Sequence, residues 1–132
     1  MTDSAGLRVE HIMNGVLMHA DHNESLSYIT KLLVGNNANA VIVREKGIPI
    51  GIITARDIVT SLVESDRDPD QILAKEVMTA PIISVDHDTN ITSARDVMVG
   101  NALSKLPVRN EVDIVGLLIQ DDIIRDMSWY SL

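Results

Sequence analysis

Apolar positions along this chain follow two alternating patterns. In 26–33 they fall at Leu26, Ile29, Leu32 and Leu33, the spacing of one helix face; Ile91, Ala94, Val97 and Met98 repeat it. Short, nearly continuous apolar runs follow each of these helices: AVIV (40–43) and IGIIT (50–54), then LPV (106–108) and VGLLI (115–119). Runs of this kind suit strands buried on both faces of a sheet flanked by helices. GVLMHA (15–20) and APIISV (80–85) read as extended, each after a short helical lead-in, VEHIM or AKEVM. ARDIVTSLV and QDDIIRDM read as closing helices. Gly35 and Gly100 stand where a left-handed helix stop is expected, and EKG (45–47) where a turn is.

The two halves superpose without a gap at a shift of 65 residues. Met13 falls on Met78, Asp21-His22 on Asp86-His87, Val34-Gly35-Asn36 on Val99-Gly100-Asn101, Gly51 on Gly116 and Asp57 on Asp122. Two repeats that bury apolar faces against each other predict a closed pseudo-two-fold pair rather than a solenoid. The expected fold is α+β: two β-α-β-β-α repeats packed through their sheets. As a single module over 1–132, it divides into repeat one (9–63), a polar, proline-containing linker (64–73), repeat two (74–127) and a tail (128–132).

Composition narrows the class. With 132 residues, 45% hydrophobic, no Phe and one Trp, the core is built from Ile, Leu, Val, Met and Ala. The absence of cysteine excludes disulfides and thiolate metal sites and fits a cytoplasmic setting. The first residues lack the pattern of a secretory signal, and no apolar run approaches the roughly 20 residues that span a bilayer. A net charge of −8 argues against nonspecific nucleic-acid binding, which depends on neutralising phosphates.

Thr54-Ala-Arg-Asp57 lies at a strand-to-helix turn. One reading is a capping box, with Thr54 capping free N–H groups and Asp57 favouring the positive helix end. The other uses the same physics for a ligand. Unpaired N–H groups suit phosphate, the threonine hydroxyl bonds an oxygen, and a carboxylate accepts hydrogen bonds from ribose hydroxyls. Arg56 adds a charge-assisted bond, or is a solvated surface arginine.

Together the gapless repeat, G-h-h-T-x-x-D, VMTAPIISVDHD and KLPV resemble the cystathionine-β-synthase (CBS) domain family, in the tandem arrangement called a Bateman module. The resemblance covers about residues 9 to 127. It implies a non-enzymatic regulatory sensor of an adenosine nucleotide (AMP, ADP or ATP) that requires no cofactor and associates into disc-like homodimers. No effector domain is legible, so the output would pass to a separate, unknown effector protein. S-adenosylmethionine or another adenosyl ligand is the first alternative, and a ligand-free interaction module the second. The resemblance further implies two shared clefts. Cleft A would combine Thr54, Arg56 and Asp57 with Ile82, Ile83 and Lys105. Cleft B would combine Ile119, Asp121 and Asp122 with Leu17, Met18 and Ala40.

The clefts are unequal. Cleft B has Ile119 for the hydroxyl, Asp121 for Arg56 and Ala40 for Lys105. Two unit charges 4 Å apart at an effective dielectric near 20 interact by roughly 4 kcal/mol before screening, so phosphate is expected to prefer cleft A. His11, His19, His22 and His87 show no partners at metal-binding or acid–base spacing, and Met13, Met18, Met78 and Met98 read as core filler. Trp129 and Tyr130 mark either a dimer or partner contact or a tail docked on its own core. No nucleophile–base–orienter set is present in the sequence.

Overall fold

The computed structural model describes residues 6–131, with side chains described for 6–125. Trp129 and Tyr130, expected at a contact, lie outside the described side chains. The chain forms two compact units. One is the contiguous segment Val16–Ile82; the other joins the N-terminal residues up to Gly15 to Ile83 and onward.

The unit Val16–Ile82 has the order β1 (Met18–Asp21), α1 (Leu26–Gly35), β2 (Val41–Glu45), β3 (Ile48–Ile53), α2 (Ala55–Glu64) and a short α3 (Ala74–Val77). β1 runs parallel to β2, and β3 antiparallel to it, with a register shift between Val43 and Arg44. The helix α1 starts where the Ser25 hydroxyl accepts the Tyr28 N–H at 3.1 Å. It buries Leu26, Ile29 and Leu33 against Val41, Val43 and Ile53, with Leu32 half-buried at the margin. That is the face expected from the spacing. The connecting stretch is held closely. Ile72 is buried, its carbonyl accepts the Leu26 N–H at 2.7 Å, and Pro69 accepts from Ser27 at 3.3 Å.

The second unit repeats the scheme with β4 (Val85–Asp86), α4 (Ile91–Gly100), β5 (Lys105–Asn110), β6 (Asp113–Ile119) and α5 (Gln120–Ser131). Its first strand is only two residues long, where APIISV suggested six. Pro81 has no N–H to give a ladder, and pairing starts at Val85. Helix α4 is capped by the Asn90 side chain, which accepts from Thr92 and Ser93. Its core comprises Val85, Ile91, Ala94, Met98, Leu106, Val108 and Leu118, together with Val9 from a 3-10 turn at Val9–His11.

Two expectations are corrected here. The left-handed helix stops are not at Gly35 and Gly100, which end α1 and α4. Positive φ falls two residues later, at Asn37 (48°) and Ala102 (53°). There the Ala38 N–H reaches back to Leu33 O and Leu103 to Met98 O, both at 2.9 Å. The Asn36 and Asn101 amides satisfy two further helix carbonyls. The lead-in segments also pack differently from their order in the chain. The residues around Val9 join the core of repeat two, and Ala74 joins the core of repeat one.

Candidate functional site

Gly51 determines what approaches the end of β3. A Cβ at this position would lie 2.6 Å from Met78 Sδ and 3.0 Å from the Thr79 carbonyl. Without one, residues 78–79 lie along β3, and Ile52 and Thr79 exchange backbone hydrogen bonds at 3.1 and 2.9 Å. Gly116 does the same for Met13 and Asn14 against Leu117. The repeated glycine is therefore a close-approach position, and it brings Thr79 beside the start of α2.

Three of the expected residues are neighbours at that helix start. The Asp57 carboxylate accepts the Thr54 N–H at 2.9 Å and the Thr54 hydroxyl at 3.2 Å, and the Thr79 hydroxyl lies 3.5 Å from its other oxygen. The acidic arm of a capping box is thus made. A carboxylate has about four acceptor positions, so Oδ1 keeps capacity for a ligand hydroxyl. Arg56 is exposed and has no hydrogen bond or ion pair among the described residues. A groove of about 240 Å³ adjoins them, lined by Arg56, Asp57, Thr60, Ser61, Glu64 and Glu76 with Val77. Glu76 is held below the usual carboxylate range, first by the Arg67 guanidinium at 2.8 Å and then by the Leu73 N–H. Thr79 was missed in the sequence. Its signal was its place after Met78, matched by polar Asn14 after Met13.

In the same unit Ile82 and Leu17 are half-buried. Met18 opens β1 with its N–H on the carbonyl of fully buried Ala40. In the other unit Lys105 and Ile119 are register partners, Ile83 is exposed, and Asp121 is exposed in the first turn of α5. Asp122 differs from its counterpart Asp57. With Ile119 in the place of Thr54, it meets the Arg125 guanidinium at 3.3 Å. One aspartate is anchored by hydroxyls at a helix start, whereas the other is partly neutralised by an arginine on its own helix.

Sequence reading found no partner for His87, but Glu10 provides one 77 residues away, with Nδ1 to Oε2 at 2.6 Å. The same turn region of each repeat makes one backbone bond, Glu10 N–H to His87 O and Lys75 N–H to His22 O. Only the first carries a carboxylate at that place. The Glu10 hydrogen bond raises the His87 pKa above 6.5, against some desolvation, with Asp86 and Asp88 adding attraction. The bond to His87 in turn lowers Glu10, assisted by Arg8 at 2.8 Å. A raised histidine stabilises the fold fully below its unfolded value and loses that contribution as pH rises through the folded one. A lowered glutamate contributes above its unfolded value and loses this as pH falls through the folded one. The melting difference between the protein and His87→Gln is therefore expected to be largest in mildly acidic solution and to shrink as the medium turns alkaline. A flat difference across that range would remove the pair from the stability balance.

Among the described residues no helix is long and apolar enough to cross a membrane. The CBS domain family profile matches residues 9–64 and 74–128. The chain is 35% identical over 88 residues to protein MK0525 of Methanopyrus kandleri, covering 66% of this chain and 45% of that protein. It is 34% identical over 125 residues to protein MJ0653 of Methanocaldococcus jannaschii, covering 95% and 64%. It therefore spans about half to two thirds of the length of these relatives. Among solved structures, the CBS domain pair of protein MJ0100 in complex with 5′-methylthioadenosine and S-adenosyl-L-methionine is similar, with a TM-score of 0.78 and 25% identity over 92% of this chain and 96% of that one. Two matched repeats, each a three-stranded sheet with its helices and its close-approach glycine, show that this chain belongs to the CBS domain family.

Proposed function

We propose that this CBS pair is a regulatory module that binds an adenosine nucleotide (AMP, ADP or ATP) at the start of α2 and passes its occupancy to a separate partner. One observation carries the reading: Asp57, flanked by the Thr54 and Thr79 hydroxyls, stands beside a free-ended arginine at a helix N-terminus. The carboxylate suits ribose hydroxyls, and Arg56 with the helix N–H groups suits phosphate. Assembly of the module into a homodimer belongs to the same reading. Occupancy acts on the partner through its different affinity for two states of the module.

A second reading, an S-adenosylmethionine sensor, is favoured by the ligands in the similar MJ0100 domain pair. Calorimetric titration with AMP, ADP, ATP and S-adenosylmethionine separates the two. Asp57→Ala is expected to weaken nucleotide binding by about 10- to 100-fold, because a hydrogen bond to a charged group contributes ~1.5–3 kcal/mol. Asp122→Ala, whose partner is Arg125, is expected to leave it within about twofold. Equal loss in both variants would remove the preference for Asp57. Heat from S-adenosylmethionine alone would select the second reading, and no heat from any ligand would leave an interaction module.

A further inference from the structure

Arg44 and Arg109 occupy equivalent places in the two repeats, each just after the register shift in the central strand of its sheet. Arg109 is engaged through two of its three guanidinium nitrogens. Its Nε lies 3.1 Å from Asp86 Oδ1, and its Nη1 donates to the Ser84 carbonyl and hydroxyl, both at 2.8 Å. Arg44 is not. Its Nε is buried with no hydrogen-bond partner, and its guanidinium makes no ion pair among the described residues. Two differences account for this. His19 stands in the place of Ser84, so the small hydroxyl that receives the guanidinium is missing. Asp21, the counterpart of Asp86, instead turns its Oδ2 to the Asn23 N–H at 3.0 Å. What remains is a hollow of about 280 Å³ lined by His19, Ala20, Asp21, Arg44 and Gly47.

We propose that this hollow is a second ligand site, separate from the start of α2, that takes a small oxyanion on the Arg44 fork. A buried N–H left unpaired costs free energy, and more so when it is charged. A carboxylate or phosphoryl oxygen pair matches the guanidinium in a bidentate bond, which recovers that cost and fixes the geometry. Asp21 also lines the hollow and weakens the attraction of Arg44 for any anion, carboxylate or phosphate, without removing it. The hollow is several times the ~30 Å³ of a water molecule, so it holds such a group with part of the molecule bearing it.

The Arg Nε–H resonances of the full chain report on this directly. Acetate and inorganic phosphate are titrated at constant ionic strength and one fixed pH. The Arg44 signal is expected to move saturably with either anion while Arg109 stays in place. His19→Ser restores the residue found in the other repeat. It should let Arg44 close onto residue 19, raise the anion-free melting temperature and abolish saturation. Arg44→Lys keeps the charge but loses the fork, and should weaken binding about tenfold as read from backbone amides around Gly47. Asp57→Ala should change none of this, which keeps the outcome independent of the nucleotide reading. Linear drift of both arginine signals, or an unchanged titration in His19→Ser, would overturn the proposal.

Discussion

Leu26→Ala is expected to lower stability by about 2–5 kcal/mol, read as a shift in the urea midpoint with an unchanged slope. Leu26 is fully buried at the first residue of α1, among Ile29, Val41, Val43 and Ile53. Its backbone N–H is fixed to Ile72 O at 2.7 Å, so the helix start cannot slide to fill the space left by the side chain. Domains of this size have about 5–15 kcal/mol in total, so the loss is a large share. Leu62→Ala is the control. That side chain is 47% exposed on α2, and its loss should change stability by only about 0.5 kcal/mol. Equal effects at the two positions would mean that burial in this core does not set the stability.

Gly51→Val is the second large effect, about 3 kcal/mol from forced repacking and a lost backbone bridge. Met78 Sδ, at 2.6 Å from the added Cβ, is the end of a flexible side chain and can move. The Thr79 carbonyl at 3.0 Å is backbone and cannot move without breaking its bond to Ile52. Adding Met78→Ala should therefore recover only part of the loss. Full recovery would show that the sulfur alone was in the way. Displacing Thr79 also removes a hydroxyl from Asp57, so Gly51→Val should weaken any ligand held there even at temperatures where the protein stays folded.

The element order and the helix faces were legible in the chain because both repeats state them. Leu26, Ile29 and Leu33 are matched by Ile91, Ala94 and Met98, and period and register follow from local spacing. The cluster of Thr54, Arg56 and Asp57 was legible for the same reason, since one helix turn holds it. Whatever depends on distant contacts was not. The Glu10–His87 pair spans 77 residues, and Thr79 reaches Asp57 only because Gly51 has no side chain. The helix stops were misplaced because a glycine draws attention to itself. At Ala102 the chain instead takes up a left-handed conformation on an alanine, which nothing in its residue type announces.

The crossed packing of the lead-in segments has a consequence for synthesis. Val16–Ile82 is contiguous, so every part of its core is present once Ile82 has left the ribosome. Val9 is made earlier still, yet its backbone partner is Thr89, and its core neighbours extend to Ile123. At about 5–20 residues per second, Ile123 follows Ile82 by about 2–8 s. During that interval Leu7, Val9, Ile12 and Met13 lack part of the core that covers them. A stretch made before Val16–Ile82 is thus covered only after it, and it is where a nascent-chain chaperone would find this protein.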